Sequence, residues 1–530
     1  DGQSFTTLWT APSVGGAGLR GRFASDLGGS GRFVRLSAIG GDAFVTATEL
    51  QLFSEVPSIW PPWIRPRLEA TSSIWARLCL LLFGVLASVA TLLGGRNASK
   101  RVSRALWIAT GLAAAMTLYA IPGAWPPDKD LIDATRAIVA AIAAVVVLRL
   151  GFRREQSNEV LLTALLGVMA FVSILTFYNF GYPQFYDQAA RKRTYVHSWD
   201  MRVYFPVAKY FDELGYDGVY LASVKSYAED VLGGSLDSIQ DTELRDLQTY
   251  EMRRVSDVND EIHAIKDRFS PERWEELKKD MSYFWQSMGR NAYLGSLRDH
   301  GGNATPAWLL PAYLMFRTTD ASESTFLWAA ALDPLLLLLF FVAAWRTFGL
   351  RAALVCLVAY GATTVYQFGS NWGGSTLRND WMVLLGLGVC ALKSKRWYAA
   401  GLLLGWGAMN RAFPVLALLF LAVPTGWTLL ETWRRKRSGE KDAVSPWAPL
   451  VPLIKVGVGV VLIAGALGAA STATFGWDES WGQWSDKIAM HANKPNVNHF
   501  GLRANIGYEA DNLWHRLRAR GQDPELWGPL

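Results

Sequence analysis

The sequence predicts a polytopic α-helical membrane protein with about ten transmembrane helices, a helical domain outside the membrane and a partial β-domain at the N-terminal end. Hydrophobic residues make up 51% of the 530 positions and charged residues only 18%, against about 25% charged residues in soluble domains. Apolar runs recur at about the 20-residue length that crosses a bilayer core. They lie at 73–95, 105–125, 131–150, 159–181, 326–345, 350–368, 379–393, 397–411, 413–431 and 449–475.

Clusters of Lys and Arg between the apolar runs predict the orientation. Placing every cluster in the cytoplasm satisfies the positive-inside rule with strict alternation. Residues before 73, the 182–325 region, the 369–378 loop and residues from 476 onward then face outward. We expect the inner (cytoplasmic) membrane of a bacterium, with membrane lipids as partners. The net charge of +6 comes from these short clusters, so nucleic acid is not an expected partner.

Residues 1–55 differ from the rest of the chain. They are Gly-rich and alternate polar and apolar residues with period 2, which favours β-strands. The stretch GRFVRLSAIGGDAFVTATELQLF resembles the closing strands of a discoidin-like (coagulation factor C-type) jelly roll, a domain that often binds carbohydrate or membrane surfaces. A β-rich spacer is the alternative. A Pro/Trp linker follows at 56–72, and three further helices precede a core at 159–475. We expect the chain to be a piece of a longer polypeptide or a processed form, with its outer loop at 476–530 truncated.

The main candidate for chemistry is Asp200, which follows the apolar run at 159–181. A carboxylate just outside a membrane-spanning helix is well placed to act on a lipid-linked substrate. The pattern from Arg202 to Leu214 is amphipathic at helical period, so Asp200 is expected at a helix N-terminus, where the helix dipole favours a carboxylate. The alternative is an N-cap that contributes about 1 kcal/mol to stability.

The segment from 200 to 220, with an Asp followed by Val-Tyr-Phe and later by Gly-Tyr-Asp, resembles the first extracytoplasmic loop of GT-C glycosyltransferases. It is most similar to the polyprenyl-phosphate-mannose-dependent branch. Three further stretches, 299–317, 398–415 and 475–484, resemble later parts of that family in the same order, so the resemblance covers about 159–510. Two features depart from the family pattern: Arg411 stands where the family often has Lys, and the excursion between Asp200 and Pro306 is long.

The resemblance implies transfer of a sugar from a polyprenyl-phosphate donor to a glycan or lipid-linked acceptor outside the cytoplasmic membrane. Such chemistry needs a base for the acceptor proton, which is the expected role of Asp200, with His499 as a second acid/base candidate. It also needs cations for the donor phosphate. The candidates, each expected near the outer interface, are Arg378, Arg411 and Arg503. For Arg411 the alternative is snorkelling to outer headgroups.

Polar residues near these positions are expected to contact substrate, namely His197, Arg202, Tyr204, Asn371, Asn496 and Asn498. Plain turn chemistry explains the Asn371 loop equally well, and an ordered capping loop explains 493–499. The sequence shows no Cys/His metal pattern and indicates no particular cofactor. Binding of a divalent cation with the help of His197 is an open alternative.

Two other functional classes are open. A transporter or flippase for lipid-linked sugars would need ionisable groups along a path through the membrane, for which Arg136 and Asp333 are candidates. The third is a catalytically inactive scaffold that presents the β-rich region to glycans.

Overall fold

The computed structural model describes a mostly helical chain. The described residues are 5–10, 24–25, 27–28, 34–36, 52–56, 71–93, 99–152, 159–363, 374–411, 414–438, 447–448 and 450–493. None of the described positions between 5 and 56 lies in a strand. A strand forms only where a neighbouring segment accepts its backbone hydrogen bonds, and these positions show no such pairing. The predicted N-terminal jelly roll is therefore not supported.

The chain first forms four long apolar helices. They are α1 (Thr71–Leu93), α2 (Lys100–Ala120), α3 (Lys129–Phe152) and α4 (Glu159–Phe177). The first three correspond to the helices predicted to precede the core. α3 packs against α1 and α4, and small side chains such as Ala87 and Ala143 are fully or almost fully buried at the contacts.

A compact region without a candidate membrane-spanning helix follows, over most of the 182–325 stretch that we predicted to lie outside the membrane, and we call it the extramembrane region. Its elements are β1 (Phe185–Asp187), β2 (Lys192–Thr194), α5 (Ser198–Lys209), α6 (Phe211–Leu214), α7 (Val219–Val231), β3 (Glu243–Arg245), β4 (Met252–Arg254), α8 (Asn259–Ala264) and α9 (Pro271–Gly295). The two strand pairs are short antiparallel hairpins, β1 with β2 and β3 with β4. α9 begins at Pro271, because Ser270 caps it by accepting a hydrogen bond from the Arg273 amide at 3.2 Å.

α5 lies at the centre of this region. Every residue from Met201 to Lys209 is buried, so the helix is enclosed on all sides and the predicted amphipathic face is absent. The Phe205 ring contacts Phe284 of α9, together with Phe316 and Phe326, at centroid distances of 5.0 to 6.1 Å. This aromatic cluster fixes α5 against both the extramembrane region and the next membrane helix.

The second half of the chain is helical throughout most of its described residues. It contains α10 (Pro306–Phe316), α11 (Glu323–Phe348), α12 (Leu350–Gly361), α13 (Asp380–Lys393), α14 (Trp397–Asn410), α15 (Val415–Arg437), α16 (Leu450–Phe475), a π-helical turn (Trp477–Gly482) and α17 (Gln483–Asn493). In α10, the side chains of Trp308, Leu309 and Phe316 are fully buried in the same hydrophobic core as α5.

Seven helices among the described residues are long and apolar enough to cross a membrane: α1, α2, α3, α4, α11, α15 and α16. This agrees with a multi-pass helical membrane protein. The prediction of about ten full spans is not met, because α12, α13 and α14 have only 12, 14 and 14 residues. At 1.5 Å per residue, 14 residues cover about 21 Å of a core of about 30 Å. The predicted runs 379–393 and 397–411 match α13 and α14 to within one residue and were already this short, whereas α12 ends at Gly361 within the predicted run 350–368, whose last residues lie outside the described part of the chain.

Candidate active site

Asp200 lies in the first turn of α5, at the third helical position, and its side chain is 12% exposed. His197 occupies the N-cap position, and no side chain caps the helix. The N-cap alternative for Asp200 is therefore wrong. Its carboxylate contacts residues from a distant part of the chain, near 375.

The segment 374–379, which we call the docking segment, packs on the start of α5. The amide of His197 donates to the carbonyl of Gly374 at 2.7 Å. Gly374 has φ +83°, and a Cβ at this position would lie 2.1 Å from the carbonyl oxygen of Tyr195. Only glycine tolerates both this conformation and this approach. The contact brings Ser375 and Arg378 to Asp200.

Of the predicted cations, Arg378 contacts Asp200 directly. Its Nε lies 3.2 Å from Asp200 Oδ2, and the Ser375 hydroxyl donates to the same oxygen. The Arg378 side chain is only 8% exposed. Burial opposes its charge, but Asp200 and Tyr204 outweigh burial and raise the pKa of Arg378 above its usual value. The guanidinium is therefore a permanent cation beside the candidate base.

A carboxylate of a membrane helix holds the docking segment in place through hydrogen bonds to its backbone. Asp333 of α11 is 3% exposed and accepts the backbone N–H groups of Arg378 and Asn379 at 3.0 and 3.3 Å. These hydrogen bonds explain why a carboxylate is tolerated in an apolar helix. They also fix the backbone that carries Arg378.

Arg411 reaches the same cluster from the end of α14. Its Nη1 donates to Oδ1 of Asn303 at 3.3 Å, and the hydroxyl of Tyr204 donates to the same oxygen at 3.1 Å. Arg378 Nη1 in turn donates to the Tyr204 hydroxyl at 2.8 Å. Trp308 supports this arrangement, because its ring packs edge-on against Tyr204 and its Nε1 donates to the carbonyl of Leu377.

Tyr204 and His197 have roles other than free substrate contacts. Tyr204 is 6% exposed, and its hydroxyl is engaged by Arg378 and Asn303. Burial lowers the pKa of His197 to about 4, Asp200 partly opposes this, and Arg378 lowers the pKa further. His197 is therefore neutral at pH 7, and its ring packs against Phe185 at 4.5 Å.

Arg202 lies apart from this cluster. It is fully buried between the rings of Tyr220 and Tyr293, with its Cζ 5.0 and 5.1 Å from their centroids. None of its three side-chain nitrogens has a hydrogen-bond partner among the described residues. The structure thus places this predicted substrate contact in the core of the extramembrane region.

Five predicted site residues lie outside the described residues: His499, Arg503, Asn371, Asn496 and Asn498. The structure gives no support to the alternative that His197 helps to bind a divalent cation. Within the ranges that the structure describes, no three His, Cys, Asp or Glu side chains converge as metal ligands would.

Sequence reasoning missed three members of the cluster. Ser375 lies in the loop that contains Asn371 but was not itself a predicted site residue, and Asn303 was not predicted to be one either. Asp299 is a second carboxylate within electrostatic range of Asp200, and burial raises its pKa. Two glycine-rich turns, at Gly301-Gly302 and at Gly374, were the available signal, because each marks a close backbone approach.

Two cavities of the extramembrane region lie away from Asp200. One of about 420 Å³ is lined by Phe211, Gly215, Phe475, Gln483 and several carboxylates. Another of about 240 Å³ lies beside Tyr220 and Arg245. Neither has Asp200 in its wall.

Comparison with protein-family models, curated proteins and solved structures finds no match for this chain. The functional argument therefore depends on the geometry of the residues themselves.

Proposed function

We propose that this protein is an integral-membrane glycosyltransferase of the GT-C type. It transfers a sugar from a polyprenyl-phosphate donor to an acceptor hydroxyl on the outer face of a bacterial cytoplasmic membrane, in cell-envelope glycan synthesis. The observation that carries the proposal is the convergence of one carboxylate and two cations. Asp200 contacts Arg378 directly, and Tyr204 and Asn303 connect Arg378 to Arg411 by hydrogen bonds, although the three charged residues come from distant segments.

The residues have distinct roles in the reaction. The acceptor oxygen attacks the anomeric carbon of the donor sugar while Asp200 takes the hydroxyl proton. The bond between that carbon and the phosphate oxygen breaks, and the phosphate leaves with the bonding electrons. Arg378 and Arg411 stabilise the negative charge that grows on the leaving phosphate.

The ion pair between Arg378 and Asp200 links donor binding to base activation. Arg378 contacts the same carboxylate oxygen that accepts the Ser375 hydroxyl. A bound phosphate competes with Asp200 for the guanidinium. Donor binding therefore weakens the contact that holds Asp200 as an unreactive carboxylate and leaves it available to the acceptor.

Arg411 is the more available of the two cations. Among the described residues its side chain makes one hydrogen bond, to Asn303, lies within electrostatic range of the Asp380 carboxylate and is partly exposed. A guanidinium carries five N–H donors, so most of its donors remain for a phosphate. Its position beyond the last turn of an apolar helix suits a donor whose lipid tail lies in the membrane.

The transporter alternative gains no support from its two candidate residues. Arg136 donates to the carbonyl of Thr176 at 2.9 Å and pairs with Asp133 at 3.2 Å. Asp333 accepts two backbone amides. Both have fixed structural partners, unlike the members of a substrate path.

Donor class and phosphate recognition can be tested together. Membranes containing the protein are given radiolabelled polyprenyl-phosphate sugars or nucleotide sugars, and transfer to endogenous acceptors is measured. We expect transfer only from the lipid phosphates.

Arg411→Gln should raise the donor KM about tenfold through loss of a charge-assisted contact. Arg254→Gln, at an exposed arginine, is the control. Transfer from nucleotide sugars alone, or equal KM values for both variants, contradicts the proposal.

A further inference from the structure

Asn303 occupies a junction between three parts of the molecule. It follows the turn at Gly301 (φ +69°) and Gly302, just before α10. Its side chain bonds to Tyr204 of α5 and to Arg411 after α14, and its backbone carbonyl accepts Trp484 Nε1 of α17 at 3.3 Å. Neither the base nor the cations of the proposed reaction include this residue.

The hydrogen bonds at this junction have only one consistent direction. A guanidinium donates and never accepts. The Tyr204 hydroxyl therefore accepts from Arg378 and passes its own hydrogen to Asn303. The Asn303 oxygen then accepts from Tyr204 on one side and from Arg411 on the other. Bonds of 2.8, 3.1 and 3.3 Å thus connect the two cations in one path.

The charge of the group at 303 is decisive for an anion site. Two guanidinium groups repel each other, so holding them together needs acceptors between them. A carboxylate at 303 would accept the same two hydrogen bonds, but it would neutralise part of the positive charge that attracts a phosphate. A carboxamide supplies the oxygen without adding a carboxylate to Asp200 and Asp380, which already face Arg378 and Arg411.

We propose that Asn303 is a positioning residue that sets the spacing of Arg378 and Arg411, and so defines where a lipid-linked phosphate binds. The ligand class is a phosphate mono- or diester on a polyprenyl chain. The inference rests on the proposed function for the identity of the donor. The hydrogen-bond path itself is independent of that function.

The test uses Asn303→Asp in the full chain. This near-isosteric change keeps an acceptor for Tyr204 and Arg411 and adds one negative charge. Asn291→Asp adds the same charge at an exposed position of α9 and is the matched control. Binding of a short-chain polyprenyl phosphate without sugar is measured in detergent, beside the uncharged polyprenol.

We expect Asn303→Asp to weaken phosphate binding about tenfold, as one like charge near a bound anion does. Binding of the polyprenol and the melting temperature should stay unchanged, and Asn291→Asp should match wild type. Asn303→Ser, whose hydroxyl is too short to serve both partners, should also weaken phosphate binding selectively. It replaces the Asp variant if that variant fails to fold.

Phosphate binding that is equal in wild type and Asn303→Asp overturns the inference, as does wild type that binds no phosphate. A loss of polyprenol binding to the same extent also overturns it, because that would indicate general distortion. The proposed function fails separately: if wild type transfers no sugar while Asn303→Asp still selectively weakens phosphate binding, the positioning role stands without the glycosyltransferase.

Discussion

Replacing Gly374 by Ala tests whether docking of the 374–379 segment on α5 builds the site. A non-glycine residue with positive φ costs about 1–2 kcal/mol. The new Cβ would also lie 2.1 Å from the carbonyl of Tyr195 and 3.0 Å from the amide of His197. Relieving such an overlap adds about 1–3 kcal/mol, the usual cost of overpacking. We therefore expect a total loss of about 2–5 kcal/mol, or local separation of the segment from α5.

Gly234 provides the matched control, since its φ is +90° and no atom lies within 4 Å of the point that a Cβ would occupy. Gly234→Ala should cost only the conformational strain, about 1–2 kcal/mol. Both variants are compared by thermal unfolding in detergent and by sugar transfer. Gly374→Ala should also lower transfer about 100-fold, because Ser375 and Arg378 shift relative to Asp200. Equal melting temperatures in the two variants, with transfer intact, would refute the reasoning.

Three further predictions concern other groups. The pKa of His197 is about 4 in the folded protein and about 6.5 in the unfolded chain. The unfolded state therefore binds more protons between these values, and stability should fall by up to about 3 kcal/mol as pH drops through this window. His197→Gln should flatten that part of the melting temperature profile, and parallel profiles would contradict it. Asp280→Ala should cost about 3 kcal/mol in thermal unfolding, because it removes a 2.7 Å partner of the fully buried Lys209; a shift as small as that of Asp260→Ala, at an exposed site, would contradict this. Arg378→Lys should reduce transfer about 100-fold with little change in melting temperature, since an ammonium cannot reproduce the fork of a guanidinium; transfer at the wild-type rate would exclude the proposed contact.

Several helices can be located from the sequence because the patterns that mark them lie within a few turns of the chain. The pair Ser270-Pro271 is a local signal of this kind for the start of α9, since capping and proline preferences act within one turn. The apolar runs marked the long membrane helices for the same reason. The run at 350–368 extends past the end of α12 at Gly361, because hydropathy does not show where tertiary contacts end a helix. The runs at 379–393 and 397–411 match α13 and α14 to within one residue, but these helices are too short for full spans. α13 starts only after the docking segment has packed against Asp333.

The candidate site was only partly foreseeable. Asp200, Arg378 and Arg411 could each be singled out by type and position, but their contacts join segments more than 100 residues apart and depend on Gly374 and Asn303. Arg202 misled because it is two positions from Asp200. In a helix, residues two apart point to different sides, and here that side is the core between two tyrosines.

The most direct measurement is the rate of sugar transfer from a polyprenyl-phosphate donor by wild type, Asp200→Asn and Asp260→Asn. Asparagine at 200 keeps an acceptor for Ser375 but cannot take a proton. The account predicts a loss of about 100-fold or more in Asp200→Asn, an unchanged rate in Asp260→Asn, and similar melting temperatures for all three. Transfer by Asp200→Asn at the wild-type rate would contradict the central claim that this carboxylate is the base.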